Sequence, residues 1–313
     1  MIENKWVLGI DGGGTKTDAI LVSTDGTVVA EESAGASNVS TVGVERAAEI
    51  TFELLQKCCQ KVSCGPDDLY AVGVGLAGAG RNADRVDLHR CLLELGRQHG
   101  FPLSRVVVET DWRVALEAAF PASAGIVLIA GTGSIACAKG EEGKLFRVGG
   151  WGRAIGDEGS GHALGRDALN AALRAFDGRG DRTLLLDYAF SHFAASSVDE
   201  LISRVYREGT EIALFAPKLF EAEGRRDQVA HSILFRGAHE LTELVRALTL
   251  LMRPKRKLPF ALLGGLLDNQ NVYSNMVKEK ILSTLPQIII QKPKFPPAFG
   301  AAIMAFQPFR FPQ

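Results

Sequence analysis

The stretch GIDGGGTKT, residues 9–17, sets an aspartate, three consecutive glycines and two threonines between two apolar runs. Glycine costs about 1 kcal/mol in ordered structure relative to alanine. Three of them directly after a strand-like segment, Trp6 to Ile10, therefore mean that something approaches this backbone closely. In a strand-turn-strand, the bare N–H groups of Gly12, Gly13 and Gly14 form a concavity suited to phosphate oxygens, and Thr15 and Thr17 add hydroxyl donors. Asp11 on its own would repel phosphate, so its position beside the turn implies an intervening divalent cation, Mg2+ with retained waters. A tight hairpin needing positive φ would explain one or two glycines, but not three next to an aspartate. Neither GxGxxG followed by a helix nor GxxxxGK[ST] is present, which argues against a Rossmann or Walker-type site.

The same pattern begins twice. Thr17 to Val22 and Thr27 to Glu32 read as strands joined by the hairpin signal Thr24-Asp25-Gly26, giving a three-stranded meander. A helix over Val44 to Lys61, a buried strand Ala71 to Leu76, a helix striped by Leu88, Cys91, Leu92 and Leu95, a strand Arg105 to Glu109 and a helix Val114 to Phe120 come next. At Gly125 to Ala130 the chain restarts with another strand, turns at Gly131-Thr132-Gly133-Ser134 and returns through Ile135 to Lys139 and Lys144 to Val148. By itself that second turn would suit an ordinary hairpin equally well. As a duplicate of the first, it supplies a second set of phosphate donors. Helices dominate the remainder of this half. The longest, Gln228 to Met252, carries Leu234, Ala238, Leu241, Val245, Leu248 and Met252 at alternating spacings of four and three before Pro254 stops it, and reads as a core helix. Strands Phe260 to Leu263 and Gln287 to Ile290 bracket a further helix, and a last helix starts after Pro296-Pro297. The halves meet near Phe120 to Ala124, which places one domain at 1–120 and the other at 121–296.

With 313 residues, 46% of them hydrophobic, the chain can bury a large core. A net charge of −1 gives no general attraction to nucleic acid or anionic membrane, so a small-molecule partner is expected. The apolar run at the N-terminus is too short for a signal peptide and no 18 apolar residues are consecutive, which reads as a cytoplasmic protein. Cys58, Cys59, Cys64, Cys91 and Cys137 are odd in number and lack CxxC spacing, so they are expected as reduced thiols. The basic run Arg253 to Lys257 has no flanking aromatics and reads as a solvated loop.

IDGGGTKT, SN at 37–38, ETD at 109–111, AGTGS, GGWGRAIGDEGSG at 149–161 and LLGG at 262–265 together resemble the N-acetylglucosamine kinase family, within the sugar kinase, heat-shock chaperone and actin superfamily. The resemblance spans nearly the whole chain, and GGWG…GDEGS is its most specific motif. It implies an α/β fold of two ribonuclease-H-like domains, the actin-like ATPase arrangement, around a central nucleotide and sugar cleft, with the last helix, about 297–313, packing back on the first domain. It implies ATP as co-substrate, both glycine turns as phosphate holders and Gly264-Gly265 against adenosine. The threonine-flanked Lys16 counts with the nucleotide turn, either neutralising phosphate charge or standing solvated.

The resemblance further implies Asp111 as the catalytic base, where the residue pattern alone equally suits a helix N-cap. Sugar hydroxyls would be bound by Asn38, Asp111, Asp157 and the backbone of Gly150, Trp151 and Gly152, although Trp151 would serve equally as core and Asp157 as a cap. The loop LAGAGR at 76–81 is expected to line the cleft. The activity implied is transfer of the γ-phosphate of ATP to the 6-hydroxyl of an amino sugar, N-acetylglucosamine before glucosamine and glucose. Members of this family are often homodimers. Related ATPase activators of CoA-ester dehydratases hold an iron–sulfur cluster through later cysteines, and this chain has none after Cys137. A sugar-responsive regulator would add a basic recognition helix, which no segment supplies.

Overall fold

Both glycine turns lie in meanders that open five-stranded sheets of one topology. The computed structural model describes residues 5–207 and 211–306. Two compact units divide the chain: one takes it up to Gly125 and again from Lys292, the other runs from Ile126 to Gln291.

In the first unit β1 (Trp6–Gly12), β2 (Lys16–Ser23) and β3 (Val28–Gly35) pair antiparallel in sequence. The single turn α1 (Val39–Val42), α2 (Val44–Lys61), β4 (Leu69–Leu76), α3 (Asn82–Gln98), β5 (Val106–Thr110) and α4 (Asp111–Ala119) complete it before the chain leaves for the second unit. The strand order is β3-β2-β1-β4-β5, with β4 parallel to β1 and β5 parallel to β4. The central strands read as continuous apolar runs because both faces of the sheet are covered. Leu8, Ile10, Leu21, Val72 and Val74 pack under α2 and α3, which contribute Phe52, Leu55, Leu88 and Leu92. Pairing carries β1 two residues beyond the expected Ile10, since Asp11 and Gly12 remain in register with both β2 and β4. Asp11 is thus fixed on a central strand.

The second unit repeats this plan with β6 (Gly125–Ala130), β7 (Ser134–Lys139) and β8 (Leu145–Gly149). Helices α5 (Gly161–Phe176), α6 (Leu185–His192) and α7 (Val198–Arg207) come next, then a 3₁₀ turn Ile212–Phe215 and α8 (Ala216–Gly224). The unit closes with α9 (Gln228–Met252), β9 (Leu258–Leu263), α10 (Val272–Thr284) and β10 (Ile288–Ile290). Its order, β8-β7-β6-β9-β10, reproduces that of the first sheet, again with parallel β6–β9 and β9–β10 pairs. Asp227 caps α9 through the N–H groups of Val229 and Ala230, and Arg253 ends it in the left-handed conformation one residue before the expected proline stop.

The chain then returns to the first unit. Lys294 and Phe295 donate backbone hydrogen bonds to the carbonyls of Ala119 and Ala118, and α11 (Pro297–Ala305) packs on α4, β1 and β4. Ala298, Phe299, Ala302 and Ile303 share an apolar cluster with Val7, Ile20, Val22 and Ala71 on the face of the sheet opposite α2. Of the helix expected to run on to 313, residues 307–313 lie outside the described residues. All five cysteines are free, as expected, and no described helix is long and apolar enough to cross a membrane.

Candidate functional site

In the first unit the polar residues of the motifs gather at the C-terminal ends of the parallel strands β1, β4 and β5. Gly12 ends β1, and a Cβ there would overlap the Ser37 hydroxyl and lie 2.5 Å from a Leu76 methyl, so only glycine fits. Gly12 and Gly13 also give their carbonyls to Ala77 N (2.8 Å) and Ser37 N (3.1 Å), which binds the turn to the loops after β4 and β3. Gly13 N closes the turn on Lys16 O at 2.9 Å, leaving Gly14, Thr15 and Lys16 exposed at its tip. Lys16 Nζ pairs with Asp18 at 2.6 Å.

Thr17 departs from its expected role as a donor to phosphate. It is fully buried, and its hydroxyl is committed to the Gly35 carbonyl and the Ser37 hydroxyl, each at 2.7 Å. The period-two alternation of β2 turns this side chain inward. Its function is to fasten the turn to the loop that carries Asn38.

Asn38 caps α1, its Oδ1 accepting from Ser40 N at 3.0 Å, while Val39 N donates to Ala77 O. The LAGAG loop closes against it, with Gly78 tight on the Asn38 carboxamide. Asp111 is the first helical residue of α4, and Thr110 occupies the N-cap position. The capping explanation of Asp111 therefore fails, since α4 starts three residues before the expected Val114. Asp11 feels Asp111 directly: burial first, then the negative charges of Asp111 and Asp18, push its carboxyl up to about 8, with Lys16 opposing. Two carboxylates, one on β1 and one following β5, thus act on each other.

In the second unit the GTGS turn, the GDEGSG loop, the start of α5 and the end of β9 form one constellation. Gly131 N bonds Gly133 O, Gly161 N bonds Gly131 O and His162 N bonds Thr132 O, so the first amides of α5 hold the turn from behind. Ser134 Oγ donates to the Glu158 carbonyl at 2.7 Å. Asp157 takes a left-handed conformation, φ 59°, sparsely populated for a residue with a side chain. From there its carboxylate accepts from the backbone N–H groups of Ser134 and Gly152, joining the GTGS turn to the GWG loop. Desolvation leads among the causes that raise its pKa, with Glu158 adding to it. A Cβ on Gly133 would come within 2.8 Å of Asp157 Oδ2, so glycine is required for this closure. Gly265 lies beside Gly131, and Gly264 N donates to Asp268 Oδ2.

Trp151 is not core. It is 63% exposed, with the Arg147 guanidinium 4.2 Å from its ring centroid, and Gly150 and Gly152 flank it. Two supporting residues have no role assigned from the sequence. Buried Ser37 receives Thr17 and fills the space that Gly12 leaves. Buried Tyr273 on α10 donates its hydroxyl to Gly159 O at 2.7 Å, anchoring the GDEGSG loop from 114 positions away. Ser37 stands in the SN motif, whose asparagine draws the attention, and nothing local points to Tyr273.

The model of the BadF/BadG/BcrA/BcrD ATPase family matches residues 8–305. An N-acetylmuramic acid/N-acetylglucosamine kinase of Clostridium acetobutylicum is 33% identical over 305 residues, covering 96% of this chain and 98% of that protein. An N-acetyl-D-glucosamine kinase of Dictyostelium discoideum is 30% identical over 313 residues, covering 95% and 97%. A solved structure from Chromobacterium violaceum, provisionally named an N-acetylglucosamine kinase, superposes with a TM-score of 0.79 at 25% identity over 96% of this chain and 99% of that one. With two units of shared strand order and a match across nearly its whole length, this chain belongs to the BadF/BadG/BcrA/BcrD ATPase family.

Proposed function

We propose that the protein is an ATP-dependent amino-sugar kinase that phosphorylates the 6-hydroxyl of N-acetylglucosamine, with glucosamine and then glucose as poorer acceptors. The observation that carries this reading is the convergence of Asp11 and Asp111 at the strand ends of the first unit. Relatives named as kinases of such sugars, matched over nearly their full length, support the substrate class.

Asp111 accepts the proton of the attacking hydroxyl, a role that needs a carboxylate held still, and the start of α4 holds it. Asn38, Asp157 and the Gly150-Trp151-Gly152 backbone orient the sugar. The exposed tip of the first turn, Gly14, Thr15 and Lys16, and the Thr132-Gly133 part of the second cradle the phosphates, with Gly264 and Gly265 beside the nucleoside. Gly12, Gly13, Gly131 and Ser134 shape the turns, since the N–H groups of Gly13 and Gly131 and both donors of Ser134 are spent within the fold. Asp11 fits a divalent cation: burial first, then the negative charges of Asp111 and Asp18, push its carboxyl up, and Lys16 only partly opposes them, so a bound cation would complete the charge balance. Among the described residues no cluster of three or more His, Cys, Asp or Glu could hold a metal, so Asp11 would share Mg2+ with phosphate oxygens and water. When bound, Mg2+ supplies charge compensation for the triphosphate.

The test is coupled ADP release with magnesium ATP and a panel of N-acetylglucosamine, N-acetylmuramic acid, glucosamine and glucose, together with phosphorus NMR of the product. Highest kcat/KM on N-acetylglucosamine, with the phosphate on oxygen 6, is expected. ATP hydrolysis without any sugar phosphate would end the kinase reading.

A further inference from the structure

Outside the residues of the candidate site, a solvent-open cavity of about 650 Å³ lies between α5 and α9 in the second unit. On α5 it is lined by Asp167, Asn170, Ala171 and Arg174, and on α9 by Gln228, Val229, Ser232, Ile233 and Arg236. Both sets recur at helical spacing, so each is one face of its helix. The third wall is the loop of Arg179, Gly180 and Asp181.

The framework of this cavity is built firmly. Asp227, only 9% exposed, caps α9 with one carboxylate oxygen. With the other it accepts from Thr183 Oγ1 and Leu184 N, each at 2.7 Å, so the end of the loop wall is tied to the start of α9. The amides of Val229 and Ala230 are thereby satisfied, and the charged groups of the cavity are side chains.

That charge is positive by one, with Arg174, Arg179 and Arg236 against Asp167 and Asp181, and Asp181 stands ready for an ammonium group rather than for either arginine. Arg179 is paired with Asp177, and Asp167 with Arg166. Arg174 bonds only the Arg179 carbonyl (3.3 Å), and Arg236 only the Ser232 hydroxyl (2.9 Å). Among the described residues neither guanidinium has a carboxylate partner, although two arginines facing one cavity repel each other. A phosphomonoester supplies the missing charge in a form that guanidinium groups bind by paired, charge-assisted hydrogen bonds. The rest of the lining selects what the phosphate is attached to. Asn170, Gln228, Ser232 and Asp181 offer donors and acceptors for hydroxyls or an amine, while Ala171, Val229 and Ile233 provide an apolar patch suited to the C–H face of a pyranose ring.

We propose that this cavity is a second ligand site, which binds a phosphorylated sugar through Arg174 and Arg236. If the kinase reading holds, the product of the reaction belongs to this ligand class, and α5, whose first turn holds the GTGS turn, links the two places. Binding itself does not depend on that reading.

The experiment is hydrogen–deuterium exchange of the whole protein with glucosamine 6-phosphate as probe, in parallel with inorganic phosphate at equal concentration. Glucosamine 6-phosphate should slow exchange in peptides covering 167–181 and 228–236. In the Arg174→Gln/Arg236→Gln variant the protection should need on the order of 10- to 100-fold more ligand, the loss expected for charge-assisted hydrogen bonds. The variant should melt like the wild type and keep its turnover. Protection confined to peptides containing residues 9–17 or 131–134, or unchanged in the variant, would overturn the proposal. Equal protection by inorganic phosphate would overturn the sugar component.

Discussion

Asp111 sits one position inside α4, with Thr110 at the cap, so replacing its carboxylate by a carboxamide leaves the helix start intact. Asp111→Asn should therefore lower kcat about 10²- to 10⁴-fold with little change in Tm. Steady-state kinetics at saturating sugar and nucleotide beside a melting curve decides this, and a lower Tm with kcat preserved would assign the residue to structure. Asp11 gives a prediction of opposite character. Its folded-state pKa is raised from 3.8 to about 8, so the folded protein keeps a proton that the unfolded chain releases near its ordinary value. Wild-type stability from this group is complete below pH 4 and is lost as pH rises through about 8. In magnesium-free buffer, Asp11→Asn should match the wild type near pH 4 and exceed it increasingly toward pH 8, while losing magnesium-dependent turnover. Melting both proteins across that range checks it, and parallel curves would refute it. Asp11, Asp111 and Asn38 were legible in the sequence because each stands in a short motif at a strand end. Thr17 departs from expectation because a hydroxyl in a glycine-rich turn resembles a ligand donor, whereas the strand register turns it inward. Ser37 lies in the SN motif but acts through contacts with Thr17 and Gly12, and Tyr273 through one with Gly159, which local patterns do not encode.

At the scale of elements, the GDEGSG loop owes its shape to its neighbours. Asp157 in a left-handed conformation and the tight approach of Gly133 are held in part by α10, through the Tyr273 hydroxyl on Gly159 O. Tyr273→Phe removes that donor and leaves a buried carbonyl unpaired, which should cost roughly 1–3 kcal/mol. Denaturant unfolding should show the loss, and KM for the sugar should rise by more than kcat falls. An unchanged KM would mean that the loop holds its shape without α10. The long elements were readable in advance: α2 spans its expected Val44 to Lys61 and α9 its expected Gln228 to Met252, since each offers several turns of apolar periodicity. Between them, α6, α7 and α8 are only eight to ten residues long. Two turns give too few apolar repeats to distinguish a helix from an irregular segment.

Across the whole molecule, the repeated plan was visible as two glycine turns in two meanders, and the two sheets bear it out with one strand order. The seat of α11 was not visible from any local pattern, since its contacts lie on strands near the other end of the chain. That seat is narrow: a Cβ on Gly73 of β4 would overlap the Ala301 carbonyl of α11. Gly73→Ala should therefore destabilise the first unit by about 1–3 kcal/mol or more through overpacking, read as a fall in Tm. An unchanged Tm would show that α11 can shift aside. The return of α11 also imposes an order on synthesis. The sheet of the first unit leaves the ribosome early, yet the helix covering Val7 and Ala71 emerges only after the whole second unit has been made. At ordinary elongation rates that interval is about ten to thirty seconds. Throughout it α4 alone covers that face, through Val114 against Gly75, and the apolar cluster of Val7, Ile20, Val22 and Ala71 waits for its lid.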